Sequence, residues 1–416
     1  MKHVLPLLLA AFVSYSSLAQ TKDSVMIGAG YSDHVWYSLE TGEVARSAKD
    51  RWDFAFSVSG FGSSILLNHL NDNKLYVYPN GDTASWTTLD TNGISTWSQL
   101  YNSDTSWNYG AFNANTDRDN DFDLGWGVYN MITHQVVGDS LFVLQQGNAF
   151  KKIWIKGLAG GVYTVKLANL DGSQEVDVAI NKADYGQRNF VYYSVSANEI
   201  RNLEPLNDAW DVKFTQYTTI IPSFGGYPAS GVLQNGNVTT AQVSEVGDPL
   251  NFDDHERQEF STEINTIGHD WKSFDFATNQ WSIDDSTVYF VRARNGALWR
   301  LVFTDFGGSA TGKYVFQKEL IEEASELPQG VEAPSKASLQ IYPNPSNQGW
   351  ANLLYASNAP VQLTIHDLQG RVVYSAQQGA AVLGQIQLST QAWSAGMYIV
   401  RMESSGATQT QKLIIN

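Results

Sequence analysis

Two short stretches near the N-terminus, VWYSL at residues 35–39 and WDFAF at residues 52–56, decide the fold because both return later in the chain. They recur in the same order as VYYSV at residues 191–195 and WDVKF at residues 210–214. Short runs that alternate apolar and other residues predict β-strands. A repeated order of such blocks predicts two related β units.

Matching hairpins close the two units. Residues 140–155 and 288–303 each contain two apolar alternating segments around a turn, and the second turn is Asn295-Gly296. Asn-Gly between such segments is a strong signal for a β-hairpin. We therefore predict an all-β fold with two tandem related antiparallel units, at residues 20–182 and 183–320.

The alternation within the two Trp-Asp blocks predicts which side chains point into the core. Trp52, Phe54 and Phe56 are expected to face one way, into a core, and the intervening residues the other. We expect Asp53 and Asp211 to bind a turn or a backbone amide, which is the usual role of an aspartate beside a buried strand.

Composition excludes several classes of protein. The chain has 42 acidic and 26 basic residues, a net charge of −16. That balance opposes binding to nucleic acid or to an anionic membrane. Cysteine is absent, which removes disulfides, cysteine-ligated metals and thiol nucleophiles.

The N-terminus has the pattern of a secretory signal peptide at residues 1–19. Lys2 precedes a ten-residue apolar run, and small residues stand at Ser17 and Ala19 before the expected cleavage site. The apolar run is too short to span a bilayer. We expect no transmembrane segment in the mature chain and export through the periplasm.

The C-terminal part has a different composition. An acidic, proline-containing linker at residues 321–337, expected to begin with a short helical turn, leads to an almost uncharged segment at residues 338–416. Its short alternating strands predict a small β-sandwich. The blocks YPNP, HDLQGRVV, GMYIVRM and KLIIN follow in that order. The motif residues are Tyr342, Pro343, Asn344, Pro345, Gly396, Tyr398 and Lys412.

These blocks resemble the type A C-terminal sorting domain of the type IX secretion system. The resemblance implies a Bacteroidota-type bacterium, the type IX secretion machinery as a partner, and delivery to the outer cell surface or beyond. The sorting domain would then be an address, and the activity would lie in the two β units.

The β units themselves resemble the HmuY-like family of secreted proteins. The match is carried by the YSL and YYS strands, the WDxxF strands and the hairpin VYFVRARNG followed by LVFTDF at residues 288–306. The family implies an all-β fold. Its namesake is a haemophore that holds haem by two axial side chains, so haem or porphyrin binding is the first function to consider.

Haem iron takes axial His or Met ligands in an apolar pocket. The candidate ligands are His134, Met131 and His69. His134 and Met131 precede the first aromatic hairpin, and the place that corresponds to His134 in the second unit is near Asn279. None can be aligned with ligands of the namesake, and a lone histidine in a β protein is more often structural.

A carbohydrate-binding or adhesive surface module without haem is the alternative function. Trp86, Trp97 and Trp107 lie in a polar region outside the repeated blocks and are expected to be exposed. Exposed indole rings suit sugars or porphyrins. The tryptophans within strands, such as Trp36 and Trp210, are expected in the core.

The sequence contains candidates for two further chemistries. Asp117, Asp119, Asp121 and Asp123 alternate in a spacing that can wrap calcium, although the EF-hand pattern fails and a solvated acidic loop is the alternative. A second acidic cluster with one histidine lies at residues 253–256. No hydrolase or nucleotide-binding motif occurs, so no catalytic residue is assigned and an unrecognised hydrolase ranks last.

Overall fold

The structure is a computed structural model. It describes residues 20–60, 62–222, 224–324, 338–342, 344–346, 349–357, 359–379, 381–404 and 407–415. The predicted signal peptide, most of the linker and Pro343 of the sorting motif lie outside the described residues.

The regular structure of the described residues is almost all β-strand, with only short helical turns, which confirms the all-β prediction. The first part of the chain contains β1 Thr21–Met26, β2 Asp33–Ser38, β3 Gly42–Ala48, β4 Phe54–Ser57, β5 Ile65–Leu67, β6 Asn73–Val77, β7 Gln99–Leu100, β8 Gly127–Asn130, β9 Gln135–Gly138, β10 Leu141–Gln146, β11 Ala149–Ala159 and β12 Val162–Asn169. The second part contains β13 Val176–Asn181, β14 Phe190–Ser194, β15 Glu199–Arg201, β16 Val212–Ile221, β17 Gly225–Gln234, β18 Thr239–Val243, β19 Lys272–Asp275, β20 Gln280–Ile283, β21 Val288–Arg292, β22 Leu298–Phe306 and β23 Lys313–Glu322.

Helical structure is confined to short segments. The α-helical turn α1 is Gly308–Thr311, between β22 and β23. The 3-10 turns are Ala29–Tyr31, Lys49–Arg51, His69–Asn71, Thr83–Thr87, Ile94–Thr96, Ala111–Asn113 and Lys182–Tyr185. No helix in the described residues has the length and apolarity needed to cross a membrane.

The two repeats build matching sheets, and each sheet takes strands from both repeats. One four-stranded sheet has the order β15-β14-β4-β5 and the other the order β17-β16-β2-β3. The opening strand β2 therefore pairs with β16, which follows the second Trp-Asp block. Reciprocally, β14 pairs with β4, which follows the first block.

The outer sheets have strands in matching places. β1, before β2, pairs with β23 at the end of the second unit, and β13, before β14, pairs with β12. Because β13 ends at Asn181, within the predicted first unit, the exchange across the predicted boundary consists of β1, β2 and β3 on one side and β14 and β15 on the other. The predicted boundary between residues 182 and 183 separates the two repeats in the sequence but does not separate two independently packed units. The main hydrophobic core of each unit contains side chains from both sides of this boundary.

The aspartates of the two Trp-Asp blocks fix this exchange. Asp53 accepts a hydrogen bond from the backbone N–H of Val195 at 2.7 Å, and Asp211 accepts one from Leu39 at 2.9 Å. Val195 and Leu39 directly follow the equivalent strands β14 and β2. The expectation that both aspartates bind backbone amides is confirmed, and each bond joins one repeat to the other.

The predicted facing of Trp52 is wrong. Phe54 and Phe56 lie in the core of the first β unit, but Trp52 packs on the other side with Ala55. The reason is that β4 begins at Phe54 and the chain bends at Asp53, so Trp52 precedes the strand and the alternation does not extend to it. Trp52 instead joins an aromatic cluster between the two units.

The C-terminal region has its own core and two sheets. Its strands are β24 Ser338–Tyr342, β25 Trp350–Ser357, β26 Val361–His366, β27 Val372–Gln378, β28 Ala381–Ser389, β29 Gly396–Ser404 and β30 Ala407–Ile415. The sheet orders are β24-β25-β28 and β27-β26-β29-β30, which agree with the predicted small sandwich. The helical turn expected at the start of the linker is instead the end of β23.

Candidate functional site

A cavity of about 80 Å³ lies between the two β units. Its aromatic walls come from equivalent positions of the repeats. Trp36 corresponds to Tyr192, and Trp52 corresponds to Trp210. All four side chains are at least nine-tenths buried. The strand exchange brings these pairs together, because the strands that carry Trp36 and Tyr192 each lie against the other repeat.

Two indole N–H groups at this cavity are buried without an acceptor. Neither Nε1 of Trp36 nor Nε1 of Trp210 makes a hydrogen bond within the described part of the chain. The other two tryptophans that line the cavity are satisfied: Trp52 donates to His34 Nε2 at 3.3 Å, and Trp107 donates to the carbonyl of Gln234 at 3.0 Å. A buried donor without a partner costs about 1–3 kcal/mol, so native structures rarely leave one unless water or a ligand supplies the acceptor.

A buried lysine adds a third donor. Lys213 lies in β16 at the position where the first repeat has Ala55. Its ammonium is 4.7 Å from the centre of the Trp36 ring, and it makes no hydrogen bond or ion pair to any described residue. Burial lowers the pKa of Lys213, and the charge of Glu204 opposes that shift.

Two carboxylates line this cavity: Asp104, which accepts a hydrogen bond from the hydroxyl of Thr219, and Glu204, which is more deeply buried. Glu204 accepts hydrogen bonds from the hydroxyl of Tyr192 at 3.0 Å and from the backbone N–H of Asn189 at 3.1 Å. Burial nevertheless raises the pKa of Glu204 to about 7. The carboxylates of the cavity are therefore bonded internally, whereas the two indole N–H groups and the Lys213 ammonium have no acceptor within the described part of the chain.

Two histidines complete the lining. The Nδ1 atom of His34 lies 2.6 Å from the hydroxyl of Thr215, and burial holds the pKa of this histidine well below its usual value. His69 stacks obliquely on Tyr101, with ring centres 5.0 Å apart. Its ring nitrogens make no hydrogen bond of ordinary geometry, and burial lowers its pKa to about 4, although the backbone of Asn73 opposes the shift.

The structure separates the predicted haem ligands. His69 lines the tryptophan-rich cavity, whereas His134 and Met131 line a second cavity of about 270 Å³ beside the β8–β9 hairpin. His134 has a positive φ of 56° and its Nδ1 lies 3.2 Å from the hydroxyl of Tyr129. Its counterpart Asn279 has a φ of 54°, so the turn geometry explains this backbone position without a ligand.

The three tryptophans predicted as an exposed ligand surface do not form one. The expectation of exposure is wrong for Trp86, which is 8% exposed, lies between Lys152 and Lys166 and donates to Glu175 at 2.9 Å. Trp97 is half-buried against two tyrosines. Trp107 lines the cavity between the units. The polar residues around these tryptophans in the sequence predicted that the rings would be exposed to solvent. The loop that carries them instead folds back onto the sheets.

The carboxylates of the acidic stretch at residues 117–123 stabilise turns of the backbone. Asp117 and Asp123 accept hydrogen bonds from backbone N–H groups, those of Asp119 and Gly125 among them. Asp119 and Asp121 belong to the same turn region, and no three acidic or histidine side chains of the described residues converge on a point that could hold a metal. In the second cluster, His255 binds Glu322 at 2.9 Å.

The sorting motif is tied to the last strand of the chain. The side chain of Asn344 donates to the carbonyl of Lys412 at 2.6 Å and accepts from the N–H of Ile414 at 2.9 Å. Tyr398 is buried and donates to the carbonyl of Ser394 at 2.8 Å. Pro345 follows Asn344 through a cis peptide bond, and Gly396 begins β29. Tyr342 ends β24.

Sequence reasoning missed the residues that make the cavity chemically unusual. Trp36 and Trp210 were assigned to the core, and Lys213 and Glu204 were not singled out. One signal was present: where the first block has Ala55, the second has Lys213 between the apolar residues Val212 and Phe214. A lysine buried without a hydrogen bond is uncommon, and buried ionisable groups with perturbed pKa cluster at functional sites.

Solved structures similar to this chain are distant. A β-glucuronidase from Ruminococcus gnavus, in complex with D-glucaro 1,5-lactone, is 9% identical with a TM-score of 0.16; the match covers 58% of this chain and 40% of that chain. The chain thus spans about two fifths of that enzyme's length. The BSP domain of a biofilm associated protein is 10% identical with a TM-score of 0.16, over 98% of this chain and 68% of that chain. Scores this low carry no argument about fold or function.

No curated protein matches this chain. One family model does match, that of the secretion system C-terminal sorting domain, over residues 340–416. It supports secretion and surface-associated export by the type IX system, with the secretion machinery as a partner. The predicted sorting domain is therefore confirmed: residues 340–416 are a type IX secretion C-terminal sorting domain.

Proposed function

We propose that the two β units form a non-enzymatic binding protein, exported by its sorting domain, that holds a carboxylate group of its ligand in the cavity between the units. The observation that carries this proposal is the excess of donors. Trp36 and Trp210 each present a buried N–H without an acceptor, and Lys213 adds an ammonium. A carboxylate supplies only acceptors and a negative charge, which complement these three groups.

Titration with sodium acetate and sodium lactate tests the proposal. In protein labelled with ¹⁵N-tryptophan, the indole N–H signals of Trp36 and Trp210 should move downfield together as carboxylate binds, since each N–H gains an acceptor. Single Trp36→Phe and Trp210→Phe variants assign the two signals. Trp126 is the matched control, because it is equally buried and already donates to the carbonyl of Ser63 at 3.0 Å.

The expected affinity is weak, in the millimolar range, because a small anion has few contacts. Trp36→Phe keeps an aromatic wall but removes one donor, and a charge-assisted hydrogen bond contributes about 1.5–3 kcal/mol. We therefore expect acetate binding to weaken by about tenfold or more. Movement of Trp126 together with the other signals, or no movement at saturating acetate, would reject the proposal.

Haem or porphyrin binding in the manner of HmuY-like proteins is a second candidate function. It is favoured by one observation: His134 and Met131 line the same cavity, together with apolar side chains such as Leu124 and Leu158. The cavity between the units, which contains His69, is far smaller than the roughly 300–1,000 Å³ typical of small-molecule pockets. A haem site would therefore use His134.

Haemin titration distinguishes the two functions. If His134 ligates haem, a Soret band should appear and His134→Ala should abolish it, since the iron loses an axial ligand. His269→Ala is a suitable control, because His269 is also partly buried and bonded to a tyrosine hydroxyl. An unchanged spectrum, or equal loss in both variants, would exclude His134 as a ligand.

A further inference from the structure

A surface groove opens next to the cavity between the units. The groove has a volume of about 420 Å³, and four residues line both it and the cavity: His69, Leu70, Gln216 and Thr218. The cavity and the groove therefore adjoin at these side chains. A ligand that passes between them would have one end in the cavity and the rest in the groove.

The size of the cavity fixes what enters it. An engineered apolar cavity of roughly 150 Å³ accommodates one benzene molecule. The present cavity, at about 80 Å³, is close to half that volume. It therefore accommodates a group of a few atoms, such as a carboxylate, but not a six-membered ring. The larger part of any ring-containing ligand must lie in the groove.

The outer groove offers groups that suit hydroxyl-bearing ligands. The amide of Gln99 and the hydroxyl of Tyr101 can each donate and accept, and neither makes a side-chain hydrogen bond to a described residue. Sugar hydroxyls have the same dual character. The exposed ammonium of Lys74 and the exposed carboxylate of Asp72 lie at the same groove, and Lys74 can pair with a carboxylate of the ligand.

A peptide is the less suitable occupant. Extended peptides usually bind by adding a strand to an exposed sheet edge. The edge strands beside this groove are β7, which has only two residues, and β17, in which Pro228 lacks an N–H donor. Neither edge offers a continuous row of backbone groups.

We infer that the ligand is an acidic oligosaccharide, whose terminal carboxylate enters the cavity and whose following sugar rings lie in the groove. This inference rests on the proposed function, because it assumes that the cavity binds the carboxylate. To the proposed function it adds the chemical class of the ligand and the orientation of the oligosaccharide, with its terminal carboxylate in the cavity. The protein would then recognise a chain end rather than the middle of a polymer.

Calorimetry with acidic trisaccharides tests the inference. The probes are trimers of galacturonate, mannuronate and guluronate, with their methyl esters and with acetate for comparison. At least one trimer should bind tenfold or more tightly than acetate, and its methyl ester should lose that affinity. The double variant Gln99→Ala/Lys74→Ala should bring trimer binding down to the level of acetate while acetate binding stays unchanged. The matched control Gln280→Ala/Lys22→Ala alters exposed residues away from the groove and should bind the trimer normally.

The outcomes separate this inference from the proposed function. If acetate moves the Trp36 and Trp210 signals but no trimer binds more tightly than acetate, the inference is overturned and the proposed function stands. Tighter binding of a tripeptide with a free C-terminal carboxylate than of every trimer overturns the inference as well. If no carboxylate binds, the proposed function fails and the inference fails with it.

Discussion

Replacing Asp53 by alanine is expected to lower the free energy of unfolding by about 3–5 kcal/mol, a large fraction of the stability of an ordinary domain. Its carboxylate accepts hydrogen bonds from the backbone of Val195 and from the side-chain amides of Asn71, Asn73 and Gln146. Alanine leaves these donors without an acceptor, and at least two of them are buried. Water cannot reach the bond to Val195, which crosses between the repeats.

The equivalent variant of the second repeat provides an internal comparison. Asp211 accepts hydrogen bonds only from the backbones of Leu39 and Arg294 among the described residues, so Asp211→Ala should cost less than Asp53→Ala. Asp285 is exposed, and Asp285→Ala should stay within about 0.5 kcal/mol of the wild type. Urea unfolding followed by circular dichroism measures all three. Equal losses for Asp53→Ala and Asp285→Ala would show that the Asp53 contacts do not stabilise the fold.

The fold was largely predictable because its signals are local. The repeated strand blocks, the Asn295-Gly296 turn and the closing strands all appear in the structure where the sequence placed them. The exchange of opening strands was not predictable in this way. β2 has the same alternation whether it pairs with its own repeat or the other, and the choice depends on contacts between residues more than 170 positions apart, such as Leu39 and Asp211.

The candidate site was harder to predict for a related physical reason. A strand pattern shows that Trp36 and Trp210 are buried, but not that their N–H groups lack acceptors, since that depends on where the other repeat packs. His69 was predicted as a ligand-binding residue and does line the cavity, although the haem role proposed for it remains a prediction. Trp107 was chosen as an exposed ring and lies at the same cavity.

Carboxylate binding should depend on pH through Glu204. Burial raises the pKa of Glu204 to about 7, so this side chain is largely ionised at pH 8 and largely protonated at pH 6. A bound carboxylate adds negative charge to the cavity and favours the protonated form of Glu204. Binding therefore takes up a proton, and acetate should bind about tenfold more tightly at pH 6 than at pH 8.

Lys213, Tyr192 and the two histidines at the cavity do not reverse the expected increase of acetate affinity at lower pH. Burial lowers the pKa of Lys213, so falling pH can only add positive charge there, which also favours an anion. The pKa of Tyr192 is raised by burial, and those of His34 and His69 are lowered, so none of the three changes charge between pH 6 and pH 8.

Glu204→Gln separates this linkage from a general effect of pH. Glutamine keeps an oxygen that can accept from Tyr192 or Asn189, but it has no ionisable proton. The variant should lose the part of the pH dependence that comes from Glu204 and keep the part that comes from Lys213, because burial lowers the pKa of Lys213 to about 8. Calorimetry in two buffers of different ionisation enthalpy measures the proton uptake directly. Proton uptake should be smaller in Glu204→Gln than in the wild type; equal uptake in the two would assign the pH dependence to another group, and absence of uptake in the wild type would contradict carboxylate binding beside Glu204.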